Sequence, residues 1–256
     1  MPDLFLEIKD DAGEPRRQTS LTEDEALEIL RTADISGAQL IPWGSNYTFA
    51  VAMETDDGRN VLAIYKPRAG EAPLWDFPDG TLYQREVAAY RLSRWAGWNL
   101  APATVVREGP HGVGSLQLYI EPEPEAENRE EFWGSTDPAI ERLVLFDHLT
   151  NNADRKIGHC LRDRDGRVWG IDHGLTFNCE PKLRTVLWQF VGEPVSPELL
   201  VELRSMHERR DELPELLGDV LSADEIAVLT RRLERMSEHG VHPRLNPRRN
   251  VPYGWW

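Results

Sequence analysis

The stretch "NNADRKIGHC", residues 151–160, gathers Asp154, Arg155, Lys156 and His159, and "VWGIDHG" sets a second carboxylate, Asp172, inside an apolar run. Such side chains are costly to bury and seldom cluster without a use. Two carboxylates meeting at one site suit phosphoryl transfer, in which one orients the attacking hydroxyl and the other holds a divalent metal on the phosphates. Asp154 and Asp172 can share these two roles, provided the chain between them doubles back as a hairpin. His159 stands five residues after Asp154, where kinase-type loops carry a metal-binding Asn. A neutral imidazole there can ligate or bridge to a metal, although Mg2+ prefers oxygen. Arg155 and Lys156 either neutralise the transferred group or brace the loop.

Further candidates lie upstream. Lys66 ends the apolar run "VLAIY", and its ammonium is a compact charge suited to phosphate; the plainer reading is a snorkelling edge lysine. Glu86, in "QREVAAY", can pair with Lys66 or be an ordinary solvated helix charge. Gly44, Ser45 and Asn46, in "PWGSNYTF", form a turn whose backbone N–H groups can face phosphate oxygens. The Gly-Lys-Ser/Thr element of a Walker loop and the multi-glycine flap of protein kinases are both missing. Two other readings stay open at this level. Asp147, His148, Asp154, His159, Cys160, Asp172 and His173 form a transition-metal hydrolase site, without the CxxC or HExxH spacing that would make it specific, or they form a structural salt-bridge network.

These residues need elements to position them. "SLTEDEALEILRTADI" reads as a helix with Ser20 and Glu23 in capping-box spacing and Ala26, Leu27, Leu30 and Ala33 in helical period. Alternating apolar runs flank "DDG", a hairpin signal. "TLYQREVAAYRLSRWAG" reads as a second helix stopped at Gly97, with apolar Val87, Tyr90 and Leu92, and "ATVVREGPHGVGSLQLYI" as a strand pair. "EPEPEAENREE", with six acids and two prolines, reads as the junction of two lobes, residues 1–121 and 122–256. "PAIERLVLFDHLTNN" predicts a helix running into the polar loop, and "CLRDRDGRVWGID" a hairpin turning at Asp165-Gly166. From about residue 182 the pattern is mostly helical, with Ser caps before "PELLVELRSMHERR" and "ADEIAVLTRRLERMSEHG"; the Pro- and Trp-rich tail either wraps the body or is disordered. A strand-rich first half and a helical second half make an α+β bilobal protein with its ligand site in the cleft.

Composition narrows the partners. Of 256 residues, 29 are basic and 44 acidic, a net charge of −15, which argues against nucleic acid or an anionic bilayer as the binding surface. Two cysteines do not make a disulfide scaffold, no signal-peptide pattern opens the chain, and no run of about 18 apolar residues occurs. A cytoplasmic protein without stable membrane insertion is the expectation.

In order, "GSNYTFAV", "AIYKPR", "REVAAY", "GSLQLYIE", "FDHLTNNADRKIGH" and "WGIDHGLTF" resemble the phosphatidylinositol 3-/4-kinase-like superfamily, most closely type II phosphatidylinositol 4-kinases, and within it an actinobacterial family. The resemblance spans roughly residues 40–200 and implies a bilobal kinase fold using ATP and Mg2+ or Mn2+. It implies that Lys66 binds the phosphates with Glu86 as its partner. Gln117 to Glu121, through backbone groups near Tyr119, Ile120 and Glu121, would hold the adenine. Asp154, with Lys156 beside it, would be catalytic, and Asp172 and His159 would hold metal. His159 departs from the family's Asn, and the cysteine-rich lipidation segment of the lipid kinases is missing. The expected function is therefore a kinase acting on a hydroxyl of a protein or small molecule rather than a phosphoinositide; the other reading is a nucleotide-binding pseudokinase that regulates a partner.

Overall fold

The computed structural model describes residues 21–42, 44–55, 58–123 and 129–253. Ser20, the Asp56–Asp57 pair of the hairpin turn, the middle of the acidic junction and the last residues of the tail lie outside the described residues. Helix α1 (Glu23–Thr32) starts two residues later than expected. Thr22 rather than Ser20 is its cap, in a reciprocal capping box with Glu25, an arrangement worth about 1 kcal/mol.

A five-stranded antiparallel sheet follows, in the order β1-β2-β3-β5-β4, formed by β1 (Asp34–Ile41), β2 (Thr48–Glu54), β3 (Asn60–Pro67), β4 (Thr104–Gly109) and β5 (Gly112–Leu118). Strand β1 is not anticipated by the sequence. It is an edge strand whose side chains are mostly exposed, so the alternation that betrays a half-buried strand is lacking. Alternation on β3 decides the site. Val61, Ala63 and Tyr65 pack with Val51 and Met53 against α1, whereas Leu62 and Ile64 pack with Ile41, Ala50 and Ala52 on the other face. Lys66 shares that second face, because side chains two apart project the same way.

Helix α2 (Leu82–Trp95) follows β3 after a connecting strap, residues 68–80. Its cap Thr81 makes no side-chain bond; instead Glu71 accepts from the Leu82 and Tyr83 N–H groups. Val87, Ala88, Ala89 and Leu92 of α2 share one buried cluster with α4 (Pro138–Thr150), α5 (Pro197–Glu208), α6 (Leu213–Leu217) and α7 (Ala223–His239). Arg85, 1% exposed, donates to the Thr176 carbonyl and pairs with Glu225, which also closes the capping box of α7. The helix that carries Glu86 is thus anchored in the helical half. The short α3 (Arg129–Gly134) and the expected hairpin, β6 (Cys160–Arg162) and β7 (Val168–Gly170), complete the elements. Residues 182–196 are irregular rather than helical. Of the two serine caps, Ser222 bonds its helix and Ser196 does not. The described part of the tail wraps the body: Pro194 bridges Val241, and Asn250 ties to Leu183 and Thr185.

The strap reaches both halves. On one side the Tyr47 N–H bonds the Gly70 carbonyl, and the Ala72 N–H bonds Asn46 Oδ1; a Cβ on Gly70 would lie 2.6 Å from the Tyr47 Cβ. On the other, Leu74 and Phe77 pack with Ala153 and Leu175, Asp76 pairs with Lys182 at 2.9 Å, and Asn178 bonds the Asp76 carbonyl.

Candidate active site

A cavity of about 280 Å3 lies between the sheet and the helical half. Gly44, Ser45 and Asn46 line it from the loop before β2, Lys66 and Gln117 from the sheet, and Glu86 from α2; Asp154, Lys156, His159 and Asp172 line it from below. A hollow of about 420 Å3 abuts it, sharing Glu71 and Leu82 but holding neither Asp154 nor Asp172. Tyr119, Ile120 and Glu121 are not among the residues lining the smaller cavity. The Tyr119 N–H is spent on the Leu62 carbonyl, and Glu121 pairs with Arg164 at 2.6 Å. The lining that sequence reasoning missed includes apolar Ile41, Ile64 and Ile171 and polar Thr48 and Glu71.

Lys66 forms an ion pair with Glu86 and reaches Asp172 Oδ1 at 2.7 Å. The other Glu86 oxygen accepts from the His173 N–H at 2.9 Å, so one carboxylate fixes both the amine and the backbone beside Asp172. Burial opposes charge on Lys66, yet Asp172 and Glu86 together hold its pKa above the ordinary value. Burial likewise disfavours an ionised Asp172, but the Lys66 ammonium keeps the carboxyl well below the usual range. Asp172 adopts a left-handed backbone with φ of 59°, a strain of about 1 kcal/mol that marks functional positions more than others.

Asp154 lies where its burial raises its pKa, against the opposing pull of Lys156, whose ammonium sits 2.8 Å away. A carboxylate raised in this way is a better proton acceptor than a free one. His159 Nδ1 is 3.1 Å from the Asp154 carbonyl oxygen, and its Nε2 is 3.1 Å from Asp172 Oδ2. Burial is the main reason its pKa is lowered.

The loop is held by residues that never reach the cavity. Arg155, one of two roles left open by the sequence, is a brace: it is fully buried and grips both Asp147 oxygens at 2.8 Å. Its remaining donors go to the His159 and Ile171 carbonyls and to His173 Nε2. Asn152 ties Asp147 to the Asp154 N–H. Asn151, the left-handed cap of α4, fixes the Asn178 to Lys182 segment through three bonds. Gly170 permits this crowding, since a Cβ there would meet Leu143 at 2.8 Å and Arg155 at 3.1 Å. The alternative transition-metal cluster is dispersed. Asp147 is committed to Arg155, His148 packs against His242 in the core, and among the described residues no three His, Cys, Asp or Glu side chains could hold a metal by themselves. Neither Cys160 nor Cys179 is in a disulfide, and no described helix is long and apolar enough to cross a membrane.

No family model matches the chain. Its fold matches the Golgi casein kinase with Mn/ADP bound, with a TM-score of 0.55 and 15% identity over 88% of this chain and 80% of that one. Hydra Fam20 with sugar matches with a TM-score of 0.51 and 15% identity, covering 84% and 87% of the two chains. The Helicobacter pylori proinflammatory kinase CtkA matches at 0.50 and 11%, covering 83% and 94%. The α+β architecture is therefore kinase-like. The sequence is 35% identical to Protein Rv2133c of Mycobacterium tuberculosis over 265 residues, 90% of this chain and 95% of that protein. On that shared length and identity, the chain, kinase-like in fold, belongs to the family of Protein Rv2133c.

Proposed function

We propose that the protein is an ATP- and divalent-metal-dependent kinase that transfers the γ-phosphate to a hydroxyl of a small molecule or protein. The observation that carries this is the convergence of Lys66, Glu86, Asp172 and Asp154, distant along the chain, on one cavity. Lys66 anchors the phosphates, and the loop 44–46 covers them with its backbone N–H groups. Asn46 has a second duty, since its side chain holds the strap. Ile41, Ile64 and Ile171 offer the flat apolar walls that a base needs. Asp154 accepts the proton of the attacking hydroxyl, and Lys156 counters charge on the transferred group. Asp172 and His159 would hold a divalent ion; two side-chain donors fit one whose shell is completed by phosphate oxygens and water. That ion would supply shielding of the phosphate charge.

Finer membership of the phosphatidylinositol 3-/4-kinase-like group rests on the "AIYKP", "NNADR" and "GIDHGLTF" motifs alone, and the fold neighbours do not single it out. The net charge of −15 favours a soluble acceptor over a headgroup in an anionic bilayer. The test is transfer of labelled phosphate from ATP, to the protein itself or to a cell extract, by the wild type and by Asp154→Ala. Transfer by the wild type that falls at least about 100-fold in the variant is expected. Unchanged transfer refutes the role of Asp154, and nucleotide binding with no transfer by the wild type favours the pseudokinase reading.

A further inference from the structure

His159 has a geometry that Asn could not reproduce. A carbonyl oxygen only accepts, so the 3.1 Å contact between Nδ1 and the Asp154 carbonyl assigns the ring proton to Nδ1. The Nε2 lone pair then faces Asp172 Oδ2, also at 3.1 Å. Two acceptors so close repel one another unless a positive centre, either a proton on the ring or a metal ion, joins them. Their separation is close to the roughly 3.0 Å between neighbouring ligands of an octahedral ion with bonds of about 2.1 Å.

We propose that the imidazole of His159 is a direct ligand that makes this site select Mn2+ over Mg2+. The proposal rests on the nucleotide-site reading above and adds the identity of its metal. Mg2+ is a hard ion that sheds water reluctantly and takes oxygen donors. Mn2+ stands in the series of ions that gain from an imidazole nitrogen. An Asn at the same position would present a carbonyl oxygen and remove the distinction. The Nδ1 bond to the Asp154 carbonyl fixes the ring, as second partners of metal-bound histidines do. It also links the metal to the backbone of the residue that receives the proton.

The test uses the full-length protein with ADP, titrated with Mn2+ or Mg2+ and followed by melting temperature and by quenching of tryptophan fluorescence. The ratio of half-saturating Mg2+ to half-saturating Mn2+ is compared between the wild type and His159→Asn. The expected result is a ratio about tenfold or more higher in the wild type. His159→Asp, which supplies an oxygen, is expected to keep metal binding while losing the preference. A second readout is the electron spin echo of Mn2+ bound with tripolyphosphate, which brings no nitrogen of its own. Modulation from an imidazole nitrogen is expected in the wild type and not in His159→Asn. Equal ratios in the two proteins, or no nitrogen modulation in the wild type, overturn the proposal while leaving the nucleotide site intact. Failure of ADP to bind with either metal overturns both.

Discussion

Asp147→Asn tests whether the loop that carries Asp154 is held from behind. Arg155 is fully buried, and all of its donors are used: two on the Asp147 carboxylate at 2.8 Å, two on carbonyls and one on His173. Replacing the carboxylate by an amide leaves a buried guanidinium without its counter-charge and sets an N–H group against one of its donors. Removing one partner of a buried pair costs about 3–5 kcal/mol. For a chain of this size each kcal/mol lowers the melting temperature by roughly 2–4 °C, so the fall is about 6–20 °C. The assay is a thermal melt at pH 7.5, with and without ADP. A coupled loss of phosphate transfer of about 100-fold is expected at temperatures where the variant is still folded, because Asn152 would no longer fix the Asp154 N–H through Asp147. Asp147→Leu combined with Arg155→Met is expected to recover most of the melting temperature but not the transfer, since an apolar pair fills the space without the bonds to the loop. A single variant that melts within 2 °C of the wild type would show that the ion pair is not what holds the loop.

Two further outcomes follow from the same site and its support. Lys66→Met should weaken ADP binding by about tenfold or more, measured by equilibrium dialysis, and should lower the unliganded melting temperature as well, because Glu86 is left buried without its cation; ADP affinity unchanged in a variant that still folds would make Lys66 a structural residue only. Acid should destabilise the fold through His148, which burial, with His242 beside it, drives to a pKa of about 3. The unfolded chain takes up that proton near pH 6.5 and the folded one does not, so stability is complete above 6.5 and declines as pH falls toward 3. At pH 5 the loss from this group is about 2 kcal/mol, and His148→Leu should flatten that part of the melting-temperature profile.

The sequence made the elements around the cavity legible for clear reasons. The apolar run "VLAIY" marked β3 with Lys66 at its end, and Asp165-Gly166 closed the hairpin that brings Asp172 to the cavity Asp154 lines. Strand β1 escaped because an exposed edge has no apolar period to read. The adenine-side positions Tyr119 to Glu121 were placed by resemblance rather than by pattern, and they fall outside the cavity lining. Asp147 was weighed as a metal ligand or a member of a salt-bridge network and Asn152 not as a support at all, since a carboxylate and an amide near the end of a helix carry no spacing that tells a brace from a surface charge. Arg155 could not be assigned before its burial was known, because neutralising and bracing demand the same residue type.

The strap of residues 68–80 has a mechanical consequence. It is tied at one end to the turn that would cover the phosphates and at the other to the segment after Asp172, while Arg85 rivets α2 to α7. Roof and floor are stitched together along one side of the cavity, so parting the two halves there requires breaking Asp76 from Lys182 and Asn178 from the Asp76 carbonyl.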